Sequence, residues 1–324
     1  EKTNFEGSNK IIIDSEIDHT FYLIGDAGNA NLNEELSHFK LLKTELSKAH
    51  KNSTLLFLGD NLYEKGLPKK NHPNREISEH RLNAQINLVD NFKGETIFIP
   101  GNHDYYSNGI EGLKREEEYI TDKLGKNSFF PKDGCPLKKI DLSDDLVLII
   151  VDSQWYLENW NNNPTMNDDC DIKTRDLFFE EFESLIKKNE SKTTIVAMHH
   201  PLFSNGSHGG QFSFKSQFHP VNNKIPLPII GTFANILRKT SGLSVQDMNN
   251  KVYMELKNRI VTLSQKTEKV IFVSGHEHNL QYILQDNIPQ IVSGSGSKTS
   301  AARVINGSEF SYGGLGYAKI IIHK

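Results

Sequence analysis

Thr54-Leu55-Leu56-Phe57-Leu58-Gly59-Asp60-Asn61-Leu62-Tyr63 decides how this chain is read. Apolar residues run without a break and stop at Gly59-Asp60. A short apolar run closed by a Gly/Asp/Asn turn predicts a strand buried on both faces, as in a parallel sheet. A carboxylate at the carboxyl end of such a strand stands where open α/β sheets put their ligands. Gly59 permits a sharp turn there, and the Tyr63 phenol can fold back towards the same point. Taken alone, Asp60-Asn61 is an ordinary turn after a strand.

The same design recurs along the chain. Phe21–Ile24 runs into Gly25-Asp26-Ala27-Gly28, and Thr96–Ile99 into Pro100-Gly101-Asn102-His103-Asp104. Thr194–Met198 delivers His199-His200-Pro201, and Val270–Val273 ends at Ser274-Gly275-His276-Glu277-His278. Independent core strands have no reason to end together in residues that bind metals or phosphate. Helical spacing predicts helices over 33–50, 77–92, 111–124, 174–189 and 247–266. A hairpin is expected over 137–142 and 145–151, and further strands over 280–285, 289–293, 302–306 and 317–323. The alternation of strand and helix predicts an α/β fold with parallel neighbours.

Length and composition allow one large α/β domain or two smaller ones, in 324 residues of 36% hydrophobic content. We expect an arm or edge strand over 1–18, then a single domain over 19–324. Loop insertions are expected near 153–171, where Trp155 and Trp160 either rim the site or cover the core, and near 204–246. A net charge of −4 gives no basic field for duplex nucleic acid. No apolar run approaches the roughly 18 residues of a membrane helix. Cys135 and Cys170 both lie in loop sequence, which favours one disulfide and an oxidising compartment. The chain begins at Glu1, which reads as a mature or trimmed form, so an extracytoplasmic protein, periplasmic or secreted, is expected.

The strand-end residues divide by chemical hardness. Asp26, Asp60 and the Tyr63 phenolate are hard oxygen donors suited to Fe(III). His199, His276 and the Asn102 carbonyl suit a divalent ion such as Zn, Fe(II) or Mn. His276 and His278 are two apart, so in extended backbone they point the same way and could straddle two ions. Asp60 has two oxygens and can bridge a pair of ions ~3.5–4 Å apart, as in two-metal displacement sites. Net positive charge is left over to meet a phosphate anion. His103 is then free to stabilise the phosphoryl group or protonate the leaving oxygen. Among the remaining candidates, His200 reads as a packing neighbour and Asp104 as a group that orients His103. His72, His80 and His219 read as surface residues, and Ser293–Gly296 as a strand-end turn.

Together, Gly25-Asp26-Ala27-Gly28, Gly59-Asp60-Asn61-Leu62-Tyr63, Gly101-Asn102-His103-Asp104, Val196-Ala197-Met198-His199 and Gly275-His276-Glu277-His278 resemble the motifs of the calcineurin-like metallophosphoesterases. Within that superfamily they are most similar to the purple acid phosphatases, particularly the small tartrate-resistant type. Most of the superfamily has a histidine two residues after the first Asp. Here Gly28 takes that position and Tyr63 is available as the replacement donor. The resemblance implies a four-layer αββα sandwich, two packed mixed sheets flanked by helices. It implies Asp26, Asp60, Tyr63 and His278 on Fe(III), and Asp60, Asn102, His199 and His276 on Zn, Fe(II) or Mn. It implies His103 as a phosphate contact or proton donor, and His208, nine residues after His199, as a second acid. The implied activity is hydrolysis of small phosphate monoesters by a hydroxide bound at the dinuclear site. A phosphodiesterase or nucleotide hydrolase is the alternative enzyme, and a non-catalytic metal or phosphate binder the alternative of another class. The stretches 209–246 and 155–170 depart from the small mammalian enzymes, so substrate specificity does not carry over.

Overall fold

Every residue of β2 (Ser53–Phe57) is buried, and the strand pairs in parallel with β1 (Ile17–Ile24) on one side and β3 (Glu95–Phe98) on the other. This computed structural model describes residues 16–30, 36–211 and 244–324. The expected 204–246 insertion falls largely outside these residues, as do His219 and most of the expected N-terminal arm.

Between and after these strands come α1 (Ser37–Leu46), α2 (Arg75–Ile86), α3 (Asn102–Tyr105) and α4 (Ile110–Leu124). The second half contributes β4 (Leu137–Asp141), β5 (Leu146–Val151), α5 (Ser153–Leu157), α6 (Arg175–Lys188), β6 (Thr193–Met198), α7 (Lys251–Ser264) and β7 (Val270–Ser274). It closes with β8 (Leu280–Gln285), β9 (Ile288–Ser293), β10 (Ser308–Tyr312) and β11 (Ala318–His323). One sheet has the order β11-β1-β2-β3 and the other β10-β8-β9-β7-β6-β5-β4. Both are mixed: β11 is antiparallel to β1, and β4, β8 and β10 are antiparallel to their neighbours.

Strand alternation divides the core into two parts. Phe21, Leu23, Leu56, Leu58, Leu148, Ile150, Ile195 and Ala197 form one apolar cluster that joins the two sheets. Their neighbours Tyr22, Leu55, Phe57, Ile149 and Val196 turn the other way. They join the helix residues Phe39, Leu42, Phe178, Phe182, Tyr253 and Leu256 in a second cluster. Two mixed sheets flanked by helices are thereby what the sequence pattern builds. Helix ends are set by side chains where the chain supplies them. Thr174 caps α6 by accepting from the Leu177 N–H, and Asn250 caps α7 through Val252.

Three expected elements need correction, the open alternative for Trp155 is resolved, and the expected disulfide is present. Residues 302–306 form no strand: Val304 and Ile305 are exposed, and β10 starts later, at Ser308. The 77–92 helix ends at Ile86 and continues as a 3-10 turn over Asn87–Val89. The 247–266 helix begins only at Lys251. Trp155 covers the core and does not rim the site: it is fully buried, with Trp160 at 4.8 Å and Phe178 at 5.8 Å between ring centres. Cys135 and Cys170 form a disulfide. Among the described residues, no helix is long and apolar enough to cross a membrane.

Beneath the turn after β2 lies a buried acidic knot. Asp104 accepts from the Gly101 N–H at 2.8 Å, the Leu62 N–H at 3.0 Å and the Asn61 side-chain amide at 3.2 Å. Glu116 of α4, also fully buried, lies against it. Burial, then repulsion from Glu116 and Asp60, holds Asp104 well above the usual carboxylate range. Burial pushes Glu116 up to about 8 from an ordinary 4.5. An acid with a raised folded pKa stabilises the fold fully below its unfolded pKa, and that stability drains as pH rises towards the folded pKa. Glu116→Gln removes this dependence. Relative to wild type, its melting temperature is expected to gain on the order of 5 °C between pH 4.5 and 8. Thermal unfolding across that range checks it, and a pH-independent difference would contradict it.

Candidate metal centre

Three of the strand-end residues share an uncommon backbone: Asp26, Asp60 and His276 have φ of 56°, 53° and 68°. L-residues rarely adopt this left-handed region, so neighbouring structure has to hold them there. The Asp26 N–H donates to the Gly59 carbonyl at 2.9 Å, and the Gly28 N–H to the Asp60 carbonyl at 3.2 Å. The Gly275 N–H donates to the His199 carbonyl at 3.0 Å. The His276 N–H donates to Asp26 Oδ2 at 2.8 Å, which stitches the turns after β1, β2, β6 and β7 into one surface. Gly59 has φ 85°, and a Cβ there would lie 2.6 Å from His199 Nδ1. A Cβ on Gly28 would lie 2.3 Å from the carbonyl carbon of Asn61, so no side chain fits at that position.

The Tyr63 phenol fills the resulting space. Its oxygen lies 2.7 Å from Asp26 Oδ1, 2.9 Å from Asp60 Oδ2 and 3.1 Å from His278 Nε2. One phenolic proton cannot serve both carboxylates. Burial, then Asp26 and Asp60, holds this phenol well above its ordinary pKa of 10.0, so only a cation in the cluster would ionise it at moderate pH.

A second cluster stands on the other side of Asp60. Asn102 Oδ1 is 3.1 Å from both His199 Nε2 and His276 Nδ1, and these nitrogens are 3.3 Å apart. Asp60 Oδ1 lies 3.4 Å from His199 Nε2. The other ring nitrogens are committed: His199 Nδ1–H donates to the Leu58 carbonyl and His276 Nε2–H to the Gln246 carbonyl. Burial, then the neighbouring His208, His200 and His199, pushes the His276 pKa well below its ordinary range, which keeps its ring neutral. With Asn102 donating its amide to the Tyr106 hydroxyl, its Oδ1 is left facing the two ring nitrogens. Donor atoms about 3 Å apart suit an ion with bonds of about 2.1 Å. The residues therefore fit a cation in each cluster, with Asp60 contributing one oxygen to each.

His276 and His278 do not point the same way. The left-handed turn at His276 sends its ring to His199 and Asn102, while His278 joins Tyr63. His199, His200 and His276 offer nitrogens within 4.8 Å of one another, but His200 is already used. Its Nδ1 pairs with the Ser153 hydroxyl at 2.8 Å and its Nε2 with Gln246 Oε1 at 2.5 Å. Asp104 does not orient His103, since it clamps the Asp60 turn from below. The His103 ring is set instead by Nδ1–H donation to the Glu64 carbonyl at 2.6 Å, which leaves Nε2 3.9 Å from Asp60 Oδ2. His208 shares a cavity of about 270 Å³ with His103, Asn102 and His276, and its ring centre is 4.2 Å from that of His276.

Sequence reasoning missed how the His208 loop is held. Buried Glu277 accepts from the Ser204 hydroxyl at 2.8 Å and from the N–H groups of Ser207, His208 and Gly209 at 3.1, 2.8 and 3.1 Å. Its place between two histidines of the last motif was the only available signal. Lys298 was missed as well: its ammonium lies 3.3 Å from the centre of the Tyr63 ring. Nothing in the sequence marks it beyond its place after a Gly/Ser turn.

A family model of calcineurin-like phosphoesterases matches residues 19–280. Purple acid phosphatase 17 of Arabidopsis thaliana is 21% identical over 293 residues, which span 86% of this chain and 68% of that one. GAP50, the anchor in the inner membrane complex of Plasmodium, has a similar fold, with a TM-score of 0.56 and 15% identity over 94% of this chain and 81% of its own. Purple acid phosphatase PPD1 from yellow lupin (Lupinus luteus) seeds gives 0.52 and 14% over 95% of this chain and 50% of its own. PhoD gives 0.55 and 11% over 95% and 64%. The structural likenesses speak for the fold, while the family model covers every strand-end motif and implies a dinuclear metal site. The chain belongs to the calcineurin-like phosphoesterase family.

Proposed function

We propose that this phosphoesterase is a phosphate monoesterase of the purple acid phosphatase kind. In this reading Asp26, Asp60, Tyr63 and His278 hold Fe(III), and Asp60, Asn102, His199 and His276 hold Zn, Fe(II) or Mn. The observation that carries it is the division of the Asp60 carboxylate: Oδ2 lies at the Tyr63 phenol and Oδ1 at His199 Nε2. The phenolate cluster is the hard-donor set, and Gly28 leaves no room for a histidine in its place. Bound there, the two ions supply Lewis acidity to phosphoryl oxygens and lower the pKa of water.

The chain's own residues do the rest. Protonated at Nε2, His103 can donate to the leaving oxygen, and its Nδ1–H anchor on the Glu64 carbonyl keeps that edge turned to the site. His208 is a second donor on the same cavity, held in place by Glu277. Lys298 brings a positive charge beside Tyr63 that favours an anionic substrate. The Cys135–Cys170 disulfide supports an oxidising, extracytoplasmic location. A non-catalytic role on the same fold is the second reading, because GAP50, of similar fold, is described as an anchor.

Turnover separates the readings. p-Nitrophenyl phosphate should be hydrolysed faster than the bis-ester, with activity lost on chelation and restored by metal. The opposite preference would assign a phosphodiesterase, and no turnover with metals bound would favour the anchor-like role. His103→Ala should lower kcat by roughly 10²–10⁴ with metal content unchanged. Tyr63→Phe should remove a visible phenolate-to-iron band. Two zinc ions in the purified protein, with neither metal content nor rate changed in Tyr63→Phe, would refute the Fe(III) assignment.

A further inference from the structure

Tyr106 stands between two cavities. On one side it shares the site cavity with Asp60, His103 and His278. On the other it lines a larger cavity of about 860 Å³, walled also by the Tyr63–Glu64 segment. Among the described residues, the lining of that second cavity includes Lys65, Lys69, Arg81 and Arg115 against a single carboxylate, Glu64. A chain of net charge −4 thus gathers four fixed cations beside its metal centre.

None of the four is neutralised by an ion pair among the described residues. Arg81 donates to the Tyr63 carbonyl at 2.6 Å, and Arg115 donates to the carbonyls of Leu67 at 3.1 Å and Ser107 at 2.8 Å. Carbonyl partners fix a guanidinium in place and leave its charge free to act outward. Lys65 and Lys69 are exposed on the same rim. Glu64 acts on Arg81 and Glu111 on Arg115, yet cations outnumber carboxylates along this wall, and that excess favours a bound anion.

The position relative to His103 says which part of a substrate that anion belongs to. The His103 ring packs 4.9 Å from the Tyr106 ring, and its Nδ1 is anchored on Glu64, a residue of the second cavity's wall. The Nε2 edge faces the site cavity, and Tyr106, which lines both cavities and packs on His103, marks where a leaving group protonated there can extend into the second. We infer that the cavity around Lys65, Lys69, Arg81 and Arg115 binds the leaving group of substrates that carry a second phosphate there, such as nucleoside polyphosphates and bisphosphates. Its volume falls within the roughly 300–1,000 Å³ typical of small-molecule sites. This inference rests on the phosphatase reading above and names its substrate class.

The experiment compares the metal-loaded wild-type enzyme with a Lys65→Ala/Lys69→Ala double variant, whose exposed positions leave folding intact. The substrates are p-nitrophenyl phosphate, whose leaving group has no second phosphate, and ATP and fructose 1,6-bisphosphate, whose leaving groups carry one. kcat/KM for the two phosphorylated leaving groups should fall roughly tenfold or more, and the p-nitrophenyl phosphate value should stay within about twofold. High salt should narrow the difference, and Lys65→Arg/Lys69→Arg should restore it. An equal fall for all three substrates, or no fall for any, overturns the subsite. Calorimetry with β,γ-methylene ATP separates the two proposals. If p-nitrophenyl phosphate is not hydrolysed but the analogue binds wild type at least tenfold more tightly than the double variant, the phosphatase reading fails and the anion site stands. If p-nitrophenyl phosphate is hydrolysed and the analogue binds both proteins alike, the phosphatase reading stands and the subsite fails.

Discussion

Asp60 has to face two ways, and the architecture around it follows from that demand. One oxygen meets the Tyr63 phenol and the other His199, so the carboxylate can rotate towards neither without breaking a cluster. The His103 N–H pins Oδ1 at 2.9 Å. A left-handed backbone at Asp60 turns the carboxylate out of the strand axis, and Gly59 lets His199 pack close against the turn. Beneath, Asp104 ties Gly101, Asn61 and Leu62 together, so the turns after β2 and β3 cannot separate. The parallel pairing of β1, β2 and β3 brings their carboxyl ends to one edge in the first place.

The strained turns and the buried polar groups explain each other. Left-handed Asp26, Asp60 and His276 each cost stability, as does any buried donor or acceptor left unpaired. Here backbone N–H and carbonyl groups of adjacent turns pair with one another, Glu277 accepts from the His208 loop, and Gln246 pairs with His200 and His276. The result is a rigid set of lone pairs already converged on two points. Pre-organised sites of this kind lower the reorganisation needed when charge develops during reaction.

Much of this was legible in the sequence, for one physical reason. Strands buried in parallel sheets are apolar without alternation, so Leu55–Leu58, Thr96–Ile99 and Thr194–Met198 stand out, and whatever follows them lies at the ligand-binding edge. The candidate donors there were then sorted by side-chain chemistry. What stayed hidden depends on backbone conformation or on partners distant in the chain. The His276/His278 pair was read as extended because spacing carries no information about φ. Glu277 carried no assignable role because its partners lie 68 to 73 residues earlier, in a loop without pattern. Val304 and Ile305 imitate a strand, yet Val304 is 57% exposed, so their β-branched run records no core. Trp155 was ambiguous because aromatic residues serve rims and cores alike, and only packing on Phe178 decides between them.

The central claim, that two cations share the carboxylate of residue 60, is tested most directly by a crystal structure of the metal-loaded protein with anomalous data collected at the iron and zinc edges. The account predicts two peaks ~3.5–4 Å apart, one beside the Tyr63 oxygen and one between His199 and His276, with an Asp60 oxygen bonded to each. A single peak, a peak coordinated by His200, or an Asp60 carboxylate bonded to one ion alone would contradict it.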